Sequence, residues 1–357
     1  MTIARTQPPA CLNRQLPANW CKSCQERSET MVQSNVTVVV VPRERFGYAL
    51  RSLDSIVENT DVPFELIYID GNSPPDLGRA LQAQAEERNF QLIRTEHYLS
   101  PNTARNLALP FVKTKYLVFV DNDVIVSRGW LQALVACADQ HGCTAVCPLT
   151  FEDEAFSVVH HAGGELVWKS MEQGRRWLTE RRPWNHLPLA KVNKPLVAGP
   201  TELNEFHCVL VRADFFAQNG PLDEKLLSMA EETDFSITVS STGGSMFFEP
   251  ASRVSYIPPS PEQLLPSDLA FFQLRWSSDW VRKSVEHMAA KHNLDPSSPV
   301  VTHWPRFVFQ HRHACVTGSR TMPPLNILFG DYGTTLNKRE KFEQLLRQLS
   351  PDPVDNR

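Results

Sequence analysis

Tyr116-Leu117-Val118-Phe119-Val120-Asp121-Asn122-Asp123 is an apolar run that ends in two carboxylates one residue apart. Its β-branched and aromatic residues, without polar alternation, predict a buried strand of a parallel sheet. In open α/β sheets the carboxyl ends of the strands form the ligand crevice. Two acids placed there can hold one hard cation and one polar ligand group together. A plainer reading makes both acids caps of the helix expected near Ser127. It is the weaker one, because Ser127 is itself a capping residue and the acids precede it by several positions.

Upstream, the β-branched run Val36 to Val41 predicts a first strand, ended by Pro42 and followed by Arg43 and Arg45. Phe46, Leu50, Leu53 and Val57 recur at helical spacing and predict a helix over 47–58. Phe64 to Ile69 reads as a second strand and also ends in an acid, Asp70. The loop Gly71-Asn72-Ser73-Pro74-Pro75 follows, with Asp76 placed to cap a helix to about Glu87. A strand over 90–94 and a short helix capped by Asn102 and carrying Arg105 complete this half. Strands alternating with helices imply right-handed crossovers and one parallel sheet. Three strand ends, at Pro42-Arg43, Asp70 and Asp121, are therefore expected to face one crevice.

Downstream, Trp130 to Ala138 predicts a helix closed by Gly142, and 144–148 a strand. Residues 165–200 are rich in Trp, Arg and Pro and read as an irregular excursion over the crevice. His207 to Arg212 reads as a strand, Glu231-Glu232-Thr233-Asp234 as the opening of a helix, and 246–249 and 253–257 as strands. Acids in a first helical turn are also what the helix dipole alone favours. Leu269, Phe272, Trp276, Trp280 and Met288 predict a docked core helix. Phe307 to Val316 alternates, which would put His311 and His313 on one face of a strand. A short strand over 325–329 and a helix over 336–349 are expected last.

The chain has 357 residues, 42% hydrophobic and 21% charged, with a formal net charge of -4. That size and composition suit one large or two ordinary globular domains. The charge argues against nucleic-acid binding, which wants a basic footprint. No apolar run approaches a membrane span, and no charged-then-apolar leader is visible, so the expected location is cytoplasmic. Peripheral membrane contact and a homodimer are left open. Of eight cysteines, only Cys21 and Cys24 form a CxxC. It lies in an arm, residues 1–35, that carries no periodicity, and ordinary reduced thiols are the expectation.

The ordered set of a Val-rich strand ending at Pro42, Ile69-Asp70-Gly71-Asn72-Ser73, Ala104-Arg105-Asn106, Asp121-Asn122-Asp123, Cys208 to Arg212, Leu222-Asp223-Glu224 and Glu231-Glu232-Thr233-Asp234 resembles glycosyltransferase family 2 over residues 36–257. The resemblance implies an α/β GT-A (Rossmann-like) fold with a mostly parallel central sheet flanked by helices. It implies a catalytic domain over 36–257, with 36–123 as its nucleotide-binding half and 124–257 as its acceptor half. Residues 258–357 would form a C-terminal helical and β extension. The implied activity is inverting transfer of a sugar from a nucleoside diphosphate, UDP by default. The acceptor would be a glycan, a lipid-linked group, a peptide or a small molecule.

By the same resemblance, Asp123 with Asp121 would hold Mn2+ or Mg2+, and Pro42, Arg45, Asp70, Asn72, Arg105 and Asp121 would hold the nucleotide. Glu232 would be the general base, with Asp234 as fallback. Tyr256 stands where the family often has a metal-binding His, so His303, His311 or His313 become candidates to complete the site. Two competing readings remain. One is a non-catalytic sugar- or partner-binding module of this fold. The other is a phosphatase of the haloacid-dehalogenase type with Asp121 as nucleophile, weakened because Gly330-Asp331 is followed by no second acid.

Overall fold

The computed structural model describes residues 34–258 and 264–317. The arm with Cys21 and Cys24, and the elements expected over 325–329 and 336–349, lie outside the described residues.

Strand β1 (Val36–Val41), helix α1 (Ala49–Glu58), β2 (Glu65–Gly71), α2 (Pro75–Arg88), β3 (Gln91–Thr95), α3 (Pro101–Ala108) and β4 (Tyr116–Asp121) alternate as expected. All four strands pair in parallel, in the spatial order β3-β2-β1-β4. Every residue of β1 and β4 is buried, which is why neither shows polar alternation. Val41 lies opposite Asp121, so the residues after β1 and β4 leave the sheet side by side.

Beyond β4 the pairing changes. The chain continues through β5 (Val124–Val126), α4 (Trp130–His141), β6 (Ala145–Phe151) and β7 (Val158–His161). Then come β8 (Glu165–Ser170), β9 (Arg176–Arg181), β10 (Leu187–Pro188), β11 (Gly199–Thr201) and β12 (Cys208–Arg212). Helices α5 (Asp214–Asn219) and α6 (Glu231–Ser241) precede β13 (Met246–Tyr256). Strand β12 inserts antiparallel between β4 and β6, while β13 runs parallel to β6. The two strands expected over 246–257 are thus one strand with a bulge between Glu249 and Arg253.

Several local expectations are corrected. Residues 165–181 are not irregular: β8 and β9 form a hairpin of their own. Lys169 lies over Trp177 at 4.3 Å and Arg176 over Trp168 at 4.4 Å, while Leu166 and Leu178 are the buried residues of the pair, one on each strand, too few to show an alternation. Ser127 does not cap α4. Gly129 does, at φ 78°, and Ser127 Oγ donates instead to the Arg253 carbonyl. Asp76 and Asn102 lie inside the first turns of α2 and α3, whose N-caps are Pro74 and Ser100.

The segment after residue 264 is mainly helical in its described part, as α7 (Leu269–Arg275), α8 (Ser278–Lys291) and α9 (Pro299–Thr317), with an isolated parallel bridge from Leu294 to Arg176. The single helix expected from Leu269 onward breaks at Ser277, whose Oγ accepts from Trp280 N–H and caps α8. The strand expected over 307–316 is part of α9. Its buried residues Val308, Arg312 and Cys315 follow helical spacing, not alternation. Phe271 of α7 stacks on Phe46, which follows β1, and on Tyr98, which follows β3. The extension therefore covers the carboxyl edge of the parallel strands. No helix among the described residues is long and apolar enough to cross a membrane.

Candidate functional site

The ends of β1 and β4 are stitched together first by backbone. Asn122 N–H donates to the Val41 carbonyl and Arg43 N–H to Asn122 Oδ1, both at 2.9 Å. This crossing points Arg43 back at Asp121, with Nη1 3.4 Å from Oδ2. From α3, Arg105 brings Nη2 to 3.5 Å from Asp121 Oδ1. It lies over the Phe206 ring at 4.0 Å and donates to Asn102 Oδ1. Both arginines are buried, and Arg43 Nε, Arg105 Nε and Arg105 Nη2 have no hydrogen-bond partner. Unsatisfied guanidinium donors of this kind suit the binding of an anion.

Asp121 and Asp123 sit two residues apart but differ in state. Burial acts to raise the Asp121 pKa, but Arg43, then His207 and Arg105, outweigh it and hold the group at about 2. Asp123 is 1% exposed, and neither carboxylate oxygen has a partner. Burial, with Asp121 and Glu44 beside it, pushes its pKa up to about 7. A buried carboxylate without a partner costs several kcal/mol when ionised. A divalent cation removes that cost, so the residues present fit one. Asp121, Asp123 and His207 each offer a ligand atom, all within 4.8 Å of one another.

His207 is the residue that sequence reasoning missed. It comes one position before β12, whose Cys208 pairs with Val120, so His207 stands beside Asp121. Its Nδ1 lies 3.0 Å from Asp121 Oδ2, and its ring stacks on Tyr256 at 3.8 Å. In a purely parallel sheet the start of a strand lies at the far edge. Only the antiparallel course of β12 brings it here. Neither His303 nor His311, two of the three histidines expected to complete the site, does so. His303 is exposed and stacks on Phe307, and His311 lies against Trp276 with ring centroids 4.1 Å apart. The His313 side chain is outside the described residues.

The remaining nucleotide positions divide. Pro42 lies against Gly71: a Cβ there would meet Pro42 Cγ at 3.1 Å. Asp70 is buried and accepts from Ser73 N–H, Ser73 Oγ–H and Arg94. Asp70 and Asp123 both act on the buried Tyr68 hydroxyl and raise its pKa, after burial itself. Asn72 is partly exposed in the left-handed region, at φ 63°. Arg45 is buried, donates from Nη1 to the carbonyls of Ile257 and Pro258 at 3.3 and 2.7 Å, and acts on Asp123 to lower its pKa.

Helix α6 brings the acidic cluster to the same place. Met229 and Ala230 precede it at φ 65° and 68°, conformations that cost of order 1–3 kcal/mol each for residues with a Cβ. Glu231 is buried, with Oε2 unpartnered, and Glu232 is partly exposed. Arg105 answers to both: burial works against its charge, and Asp121, Glu231 and Glu232 support it. Burial, then Glu231 and Glu205, raise the Glu232 pKa well above the carboxylate range. Asp234 is differently placed, its carboxylate held by Lys291 Nζ at 2.8 Å and His292 Nε2 at 2.6 Å. The arrangement can therefore bind an anion and a cation together, beside a carboxylate of raised proton affinity.

Among curated proteins, the chain is 25% identical over 273 residues to a Drosophila melanogaster protein whose name ends "inactive polypeptide N-acetylgalactosaminyltransferase 12". The match covers 71% of this chain and 47% of that one. It is 24% identical over 232 residues to polypeptide N-acetylgalactosaminyltransferase 11 of Xenopus tropicalis, covering 62% and 37%. The chain thus spans less than half the length of these relatives. Among solved structures, GalNAc-T7 with UDP, GalNAc and Mn2+ is similar with a TM-score of 0.49 at 17% identity, covering 78% of this chain and 54% of that one. Residues 37–220, over half of the chain, match the profile of glycosyl transferase family 2, and the chain belongs to that family.

Proposed function

We propose that the chain transfers a sugar from a nucleoside diphosphate, UDP first, to an acceptor hydroxyl. The observation that carries this reading is the orphaned Asp123 carboxylate beside Asp121, flanked by the unsatisfied guanidinium groups of Arg43 and Arg105. Family membership supports it.

In this reading Asp123 and Asp121 hold Mn2+ or Mg2+, with His207 orienting Asp121 from behind. Bound there, the ion would offset charge on the diphosphate. Arg43 and Arg105 meet the same charge as it grows on the leaving oxygen. Pro42, Asp70 and Asn72 line the path of the base, while Arg45 holds the rim through the carbonyls of Ile257 and Pro258. Glu232 takes the acceptor proton as the acceptor oxygen bonds to the anomeric carbon. The bond from that carbon to the diphosphate breaks, and its electron pair leaves with the diphosphate. One displacement of this kind inverts the anomeric centre.

The test is release of nucleoside diphosphate from a panel of sugar nucleotides with Mn2+ or Mg2+. The relatives' names put UDP-N-acetylgalactosamine first in that panel. Transfer that is lost in both Asp123→Ala and Glu232→Ala, with an inverted anomeric proton coupling in the product, supports the reading. Retained configuration would remove Glu232 as base. A second reading is a binding module, favoured by the word "inactive" in one relative's name. Nucleotide binding without turnover on any donor would select it.

A further inference from the structure

On the other side of His207 from Asp123 lies a second constellation. His160 of β7, Glu205 and His207 each offer one ligand atom, and these atoms lie within 4.8 Å of one another. His207 Nδ1 lies 3.0 Å from Asp121 Oδ2, so that nitrogen is engaged on the Asp121 side. The other ring nitrogen, Nε2, is left for the second cluster. That nitrogen lies 3.7 Å from Glu205 Oε1. Ligand atoms of both residues thus border one gap.

His160 repeats the pattern. Its Nδ1 is 3.5 Å from Glu152 Oε2, which leaves Nε2 for the gap. The two imidazole rings have centroids 5.2 Å apart at 63°. Zn–N bonds of about 2.0–2.1 Å at a tetrahedral angle put the centroids of two ligating imidazoles about 5 Å apart. The outer partners are also in place. Glu205 Oε2 accepts from Arg182 at 2.5 Å, and Glu152 pairs with His186 Nδ1 at 2.8 Å. Imidazoles whose far nitrogens are held by carboxylates are the usual second layer of a zinc site. His160 is partly exposed, so a fourth position stays open to water.

We propose that His160, Glu205 and His207 form a second metal site, for Zn2+ by its two-nitrogen, one-carboxylate ligand set, joined to the Asp121–Asp123 pair through the His207 ring. Such a set is softer than two carboxylates and selects zinc over Mn2+ or Mg2+. The site ties the end of β7 to the segment before β12. It stands whether or not the donor reading holds.

The test uses full-length protein freed of metal with chelator, then titrated with Co2+ as a visible probe and displaced by Zn2+. One equivalent of Co2+ should give the strong visible bands of a low-coordinate ion, and Zn2+ should bleach them. His160→Ala and Glu205→Gln should weaken binding at least tenfold, while Asp123→Ala retains it. His207 is left intact because it also orients Asp121. Should His160→Ala fail to fold by circular dichroism, Glu152→Gln reads the same site through its outer partner and should weaken binding measurably. The proposal is overturned if wild-type protein takes up no Zn2+. It is equally overturned if the signal disappears in Asp123→Ala and survives in His160→Ala.

Discussion

At the scale of single residues, Asp123 opposes function to stability. Its carboxylate is buried without a partner, so removing the charge should stabilise the metal-free protein. Asp123→Asn is expected to melt a few degrees higher than wild type in chelator, by roughly 1 kcal/mol or more. It should also lose the stabilisation that Mn2+ gives wild type; thermal melts with and without the ion check both. Glu232 and Asp234 make a second contrast. Glu232→Gln should abolish transfer, whereas Asp234→Asn, altering a group held by Lys291 and His292, should leave turnover within about tenfold and lower the melting point. A base with a raised pKa acts only once ionised. Turnover should therefore rise with pH, with a midpoint above the ordinary carboxylate range, and Glu231→Gln should move that midpoint down. Asp121 and Asp123 were legible in the sequence because carboxylates at the end of an apolar run have few structural uses. His207 was not, since its place depends on the direction of the strand that follows.

At the scale of elements, the strands and helices up to β4 could be read because their signals are local: unbroken apolar runs for the buried strands β1 and β4, and helical spacing for α1. What escaped was set by partners far along the chain. The hairpin of β8 and β9 buries a single leucine on each strand, Leu166 and Leu178, and surrounds them with arginine, lysine and tryptophan contacts, which leaves no hydrophobic rhythm. In α9 the visible alternation of Phe307, Phe309 and His311 belongs to partly buried residues, while the buried ones keep helical spacing. The start of α4 offers a clean test. Gly129 sits at φ 78° with open space where a Cβ would go. Gly129→Ala should therefore cost about 1 kcal/mol of stability through backbone conformation alone, measured by urea unfolding.

For the whole molecule, the helices after residue 264 hold the rim of the site from outside the family match. Glu44 accepts from Trp276 Nε1 at 2.5 Å and lies 3.5 Å from Arg275 Nη1, all three buried. His311 rests on the same tryptophan, and burial, with Arg275 and Arg43 nearby, lowers its pKa to about 4. The unfolded chain takes up that proton near pH 6.5, the folded chain only near 4. Stability from this group is intact above pH 6.5 and is lost as pH falls toward 4. At pH 5 the loss should be about 2 kcal/mol, and His311→Phe should remove most of it; urea unfolding at pH 7.5 and pH 5 measures the difference. Docked in this way, α7 and α9 pack against Glu44, which follows β1, near the unsatisfied Asp123. The most direct test is calorimetric titration of UDP into wild type and Asp123→Asn, each with and without Mn2+. We expect Mn2+-dependent binding in wild type that weakens at least tenfold in the variant, which is expected to be the more stable of the two. Equal binding in both, or no binding of any nucleoside diphosphate to wild type, would contradict a metal-assisted diphosphate site at Asp121 and Asp123.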